Sequence, residues 1–189
     1  MDGRGDEMAD MRRIACRCGQ VAFEASGTPI VGAICYCSSC QKAGGIFAAL
    51  PGGAPVLESD GGTNYTLYRK DRIRCAHGAE LLREHRLSRT APTRRVVASC
   101  CNSPMFLEFK GGHWLSVYRE RIDPADRPPA EMRTMTADRR SGVEFTDSLP
   151  SYAKHSGRFM WRLLSAWAAM GFRAPKIEYV KGELDVQGG

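Results

Sequence analysis

The segment Cys35-Tyr36-Cys37-Ser38-Ser39-Cys40 sets three cysteines within six residues. Cys35 and Cys37 fall on one side of an extended segment, and a turn at Ser38-Ser39 brings Cys40 back toward them. Three soft sulfur ligands at such spacing favour zinc. Three protein ligands with an open position are the usual mark of a catalytic metal, whereas four ligands close a structural one. The alternative at this stage is a structural site completed by a distant residue such as Cys75 or a histidine. Lys42, just downstream, would set a cation beside the thiolates, and Gly44-Gly45 would let a ligand come close to the backbone.

The chain has eight cysteines in 189 residues. Outside the central run they form a pair, Cys16-Arg17-Cys18-Gly19, an adjacent couple, Cys100-Cys101, and the single Cys75. A C-x-C-G knuckle supplies two ligands and needs two more, and the Cys100-Cys101 couple is the remaining cluster. Joining them would clip an N-terminal strand to a late one across a long loop. Adjacent residues on a strand point to opposite faces, so two neighbouring cysteines share one ion only where the backbone leaves the strand path. A vicinal disulfide is the other option. Cys75 reads as a buried small hydrophobe.

Hydrophobic residues make up 43% of the chain, enough for one core. The lead Met1 to Asp10 is acidic and without an apolar run, so it reads as a disordered lead and not as a secretory signal. A reducing, cytoplasmic setting follows, in which clustered cysteines are metal ligands before they are disulfides. No segment approaches the ~20 apolar residues of a membrane span. The net charge of +6 comes largely from arginine. The Arg83 to Arg95 stretch lacks the aromatics that accompany nucleic-acid stripes, which argues against nucleic acid as a partner. No P-loop, G-x-G-x-x-G or G-x-S-x-G is present.

From Arg12 to about Tyr118, short strands separated by glycines predict an all-β domain. Expected strands cover 20–26, 30–34, 46–50, 65–69, 84–88, 94–99, 105–109 and 114–118. Residues 123–150, rich in proline and arginine, read as an extended arm. Phe159, Met160, Leu163, Leu164, Trp167 and Met170 then recur at helical spacing, and Gly171 is placed to end that helix. The helix packs on the domain or joins two chains as a homodimer.

The order of motifs resembles the glutathione-dependent formaldehyde-activating enzyme (GFA) family, whose domain centromere protein V shares. The resemblance rests on Cys16-x-Cys18-Gly19-x-Val21-x-Phe23, on Cys35-x-Cys37-Ser38-x-Cys40-Gln41-Lys42-x-x-Gly45, and on Cys101-Asn102-Ser103-Pro104-Met105, and it spans about residues 11–122. It implies a mainly β fold, a β-tent of two antiparallel sheets clasping a structural zinc, here with a C-terminal helix added over residues 151–189. It implies a carbon–sulfur lyase joining formaldehyde to glutathione, with a second, labile zinc held by Cys35, Cys37 and Cys40 as the catalytic ligands. Lys42, Gly44 and Gly45 would flank the substrate. Cys16, Cys18 and Cys101 match structural ligands. The family's late C-x-x-C-G has Ala98 and Asn102 in place of its first cysteine and its glycine, so the resemblance leaves two arrangements for the structural zinc: Cys16, Cys18, Cys100 and Cys101 in an unusual geometry, or three sulfurs and another group.

A thiol reaching the open position would lose its proton and attack an aldehyde carbon. Two other classes remain at this stage: a zinc-stabilised binding module without chemistry, and a thiol redox protein using the cysteines directly.

Overall fold

The computed structural model describes residues 11–186; the acidic lead at 1–10 lies outside the described residues. The fold is mainly β, with two sheets and a C-terminal helix. The smaller sheet orders β1 (Met11–Ala15), β2 (Ala22–Ser26) and β5 (Ile73–His77), all antiparallel. The larger contains β3 (Val31–Cys35), β4 (Thr63–Arg69), β6 (Leu82–His85), β7 (Thr93–Ala98), β8 (Ser103–Phe109), β9 (Trp114–Tyr118) and β10 (Met132–Thr134). Its spatial order is β10-β3-β4-β9-β8-β7-β6. Every pairing is antiparallel except that of β10 with β3.

The larger sheet is covered on both faces, so its strands are apolar in both phases of the pleat. Leu115 and Val117 of β9 turn toward the smaller sheet and meet a core containing Phe23 and Phe106, whose rings sit edge-on at 5.6 Å. Tyr65, Leu67 and Tyr118 turn the other way. That second face is covered by α1 (Ser38–Ala49), through Cys40, Ala43 and Phe47, and by α2 (Gly157–Ala169), through Phe159 and Leu163.

The expected strand at 46–50 is instead mostly the end of α1. Its buried positions, Cys40, Ala43, Gly44 and Phe47, follow the i, i+3, i+4, i+7 pattern. A cysteine and a glycine in apolar slots hid that period, while Ile46 and Phe47 looked strand-like. The C-terminal helix lies close to its expected place. Ser156 Oγ accepts from Phe159 N at 3.1 Å as N-cap, and Gly171 with φ +63° follows the last turn.

The stretch 123–150, expected as an extended arm, supplies β10 to the larger sheet. It runs tight against β3: a Cβ on Gly32 would stand 2.3 Å from Pro129 O. Arginines pin it. Arg119 Nε donates to Pro128 O (2.8 Å), Arg127 Nε to Ile122 O (3.0 Å), and Arg133 makes two bonds to the Asp147 carboxylate (2.6 and 2.7 Å). The other basic stretch is also spent internally. Arg94 bridges Glu84 and Glu108, Lys70 pairs with Glu108, and Arg86 pairs with Glu84. No helix among the described residues is long and apolar enough to cross a membrane.

Candidate metal centres and the adjoining cavity

The cysteines that lie far apart in the chain converge in two nests. Cys16, Cys18, Cys100 and Cys101 bring four sulfurs within 4.8 Å of one another. Measured separations are 3.5 Å for Cys16–Cys18, 3.8 Å for Cys16–Cys100, 3.4 Å for Cys18–Cys100 and 3.9 Å for Cys100–Cys101. Four sulfurs bound tetrahedrally at 2.3 Å would stand about 3.8 Å apart. The donor set therefore fits a metal ion.

The adjacent cysteines converge because they are not on a strand. Ala98 ends β7, Ser103 opens β8, and the four residues between them form a reversing turn closed by Cys101 N donating to Ala98 O at 3.4 Å. Asn102 takes φ +49°, the left-handed conformation that asparagine tolerates better than most residues. Turning the chain here replaces strand alternation and lets Cys100 and Cys101 face the same nest. The Val21 amide donates to Cys16 Sγ at 3.3 Å. Cys101 Sγ lies 3.1 Å from Ser103 Oγ, which accepts from the buried Arg121 at 3.4 Å. Burial pushes the Cys16 and Cys100 thiols up. Burial acts the same way on Cys101, but hydrogen bonds from Ser103 and the neighbouring sulfurs outweigh it and bring that thiol down.

The second nest joins the last residue of β3 to the start of α1. Cys35 ends the strand, Cys37 is the helix N-cap, and Cys40 lies in the first turn. Their sulfurs also lie within 4.8 Å of one another. The helix start is clamped from the arm: Ser38 N donates to Asp138 Oδ2 (3.1 Å), and Gln41 Nε2 donates to Tyr36 O (2.6 Å) and Asp138 O (2.8 Å). Hydrogen bonds from Cys35 and Cys40 hold the Cys37 thiol far below its ordinary range, while Cys35 is pushed far above it by the same contact with Cys37. Cys37 stands at the helix N-terminus, where the helix dipole also favours a thiolate.

Two groups absent from the sequence reading complete this nest. Arg95, on β7, is fully buried; its Nη2 donates to Ser39 O at 3.1 Å, whereas Nε and Nη1 have no hydrogen-bond partner. Its neighbours are Cys40, Tyr65 and Tyr118, not a carboxylate. A buried guanidinium needs an anion, and the thiolate nest is the anion at hand. Tyr65 lies with its hydroxyl 3.6 Å from Cys40 Sγ and its ring 5.0 Å from that of Tyr118. Burial pushes both phenols up, so they stay protonated. Arg95 was legible only as one more arginine in a basic run. Strand alternation placing it with Val97 would have flagged it.

The three cysteines form part of the wall of a cavity of about 300 Å³. Its floor is the second face of the larger sheet, including Tyr65, Leu67, Leu107 and Trp114, and His155 and Phe159 wall it from the C-terminal segment. Lys42, Gly44 and Gly45 do not line it. Lys42 is exposed on the outer side of α1, and a Cβ on Gly44 would meet Leu57 Cγ at 2.5 Å, so that glycine serves helix packing. Cys75, expected in the core, is half-buried and donates to His77 O at 3.4 Å.

Residues 11–54 match the family model described as glutathione-dependent formaldehyde-activating enzyme, GFA. Over that segment the chain carries the GFA family signature. The match takes in Cys16 and Cys18 of the first nest and all three cysteines of the second. A crystal structure of a Rhodobacter sphaeroides protein, a structural-genomics target, is similar at 17% identity and a TM-score of 0.44. The alignment covers 62% of this chain and 96% of that one. No curated protein matches the chain.

Proposed function

We propose that this protein is a zinc-dependent carbon–sulfur lyase acting on the adduct of a small thiol and an aldehyde, of which S-hydroxymethylglutathione is the type the GFA signature suggests. The observation that carries the reading is the contrast between the nests. Cys16, Cys18, Cys100 and Cys101 supply four donors, a complete tetrahedral set for a structural zinc. Cys35, Cys37 and Cys40 supply three and border a cavity, the arrangement of a reactive centre.

Zinc in the three-sulfur nest would supply a fourth position at which a thiol loses its proton. The chain's own residues do the rest. Cys37 sits at the helix N-terminus, which favours its thiolate, the buried Arg95 sets a cation behind the nest, and the Tyr65 hydroxyl lies against Cys40. The apolar side chains beside the sulfurs reduce their contact with water on the cavity side, which favours the nucleophilicity of a thiolate. A reducing, cytoplasmic setting, in which clustered cysteines serve as metal ligands, suits both nests. Met160, Trp161 and Leu164 are exposed on the outer side of α2, the surface that a homodimer through this helix would cover.

Metal analysis with an activity assay tests the proposal. The intact chain should bind two zinc ions, one released by excess thiol, and accelerate adduct formation between glutathione and formaldehyde. Cys37→Ser should bind one and lose that acceleration. One zinc in both proteins with no turnover would instead mark a binding module.

A further inference from the structure

The cavity beside the three-sulfur nest is larger and more apolar than formaldehyde needs. Formaldehyde offers two hydrogens to its surroundings, which leaves the walls beyond the sulfurs without contacts. Those walls carry no lysine, arginine, aspartate or glutamate side chain. The carboxylates of glutathione would find no cationic side chain there, and burying them unpaired is costly. The charged ends of such a thiol must therefore stay outside, and the cavity must take the other half of the adduct.

The aromatic side chains are held as a built wall. The Phe109 and Trp114 rings stack at 6.3 Å with 13° between planes. His113 lies edge-on to Trp114 at 4.9 Å and stacks on Trp167 of α2 at 5.8 Å. His155 stacks on Phe159 at 4.9 Å from the opposite side. Leu67 and Leu107 complete the floor. A volume of about 300 Å³ is at the small end of ligand pockets, room for one ring beside the reacting atoms.

We propose that the aldehyde taken by this site carries an aromatic or comparably bulky apolar substituent, seated against Phe109, Trp114 and Phe159 with its carbonyl carbon toward Cys35, Cys37 and Cys40. This rests on the lyase reading given above. In the addition, the thiol sulfur bonds to the carbonyl carbon, the C=O π pair moves to oxygen, and that oxygen takes up the proton the thiol gives up. The reverse step breaks the C–S bond and returns thiol and aldehyde. No oxidant or reductant enters.

The test compares phenylacetaldehyde with formaldehyde, each with glutathione, on the zinc-loaded full chain. Adduct formation is followed by stopped-flow absorbance and NMR exchange. Phenylacetaldehyde should show the higher kcat/KM, by about 10- to 100-fold, as expected for filling an apolar pocket. Phe109→Ala, at a partly exposed strand end where folding should survive, should lower that ratio about tenfold. A second readout needs no turnover. In a Trp161→Phe, Trp167→Phe background, 2-phenylethanol, an unreactive analogue, should change Trp114 emission saturably in the metal-free protein. Equal or greater preference for formaldehyde, or no saturable change in emission, overturns the substituent proposal and leaves the lyase reading standing. Acceleration of neither aldehyde overturns the lyase reading and this proposal with it.

Discussion

Arg95 shows how much a single residue can carry at the scale of a side chain. A fully buried guanidinium with two unpartnered nitrogens would be a serious cost unless an anion lay within reach, and Cys40 of the three-sulfur nest is its neighbour. Arg95→Met should therefore weaken metal retention at Cys35, Cys37 and Cys40 by about 10- to 100-fold, the usual effect of losing a supporting group around a metal. Chelator competition followed by metal analysis should show the second zinc leaving early while the four-sulfur zinc stays, and Arg95→Lys should restore part of the difference. Asp147 gives a pH-dependent case. Its hydrogen bonds with Arg133 hold its carboxyl down at about 2, below the unfolded value of about 3.9. Its contribution is thus complete above pH ~4 and is lost as pH falls toward 2. Asp147→Asn should remove that part of the acid dependence, seen by urea titration at pH 5 and pH 3.

At the scale of one element, α1 makes opposite predictions for adjacent glycines. A methyl on Gly44 collides with Leu57 Cγ at 2.5 Å, so Gly44→Ala should destabilise by about 1–3 kcal/mol through overpacking. Gly45 faces open space within the helix, and Gly45→Ala should stabilise by about 0.5–1 kcal/mol because alanine loses less backbone entropy. Chemical denaturation of both variants reads the difference. The same pair shows where sequence reading falters. Gly44-Gly45 reads as a loop at which ligands approach, because glycine's local preference points away from helix. The helix forms because its buried positions pack against the sheet. For the adjacent Cys100-Cys101, alternation made a shared site conditional on the backbone leaving the strand path, and a four-residue turn with Asn102 in the left-handed region meets that condition.

For the whole molecule, the four-sulfur nest is a clip between positions 84 residues apart, Cys16 and Cys100. It ties the small sheet to the far hairpin of the large one. Cys101→Ser should lower stability by about 2–5 kcal/mol, by comparison with a disulfide of that span, and Tm by about 5–15 °C. Cys37→Ser should leave Tm little changed, since serine is itself a good N-cap, while removing the second metal. Calorimetry with and without chelator separates the two roles.

The β class, the cysteine groups and the terminal helix were legible because each depends on spacing over a few residues, where chain geometry alone sets what can meet. The fit of Cys100 beside Cys101, the charge that Arg95 brings to the second nest, and the cavity wall made by Phe159 and His155 were decided by packing. The last two depend on residues tens of positions apart meeting on one face of the larger sheet, and the first on a turn whose sulfurs meet Cys16 and Cys18. Local propensities carry no record of such meetings, because burial and charge pairing exist only once the sheet has formed.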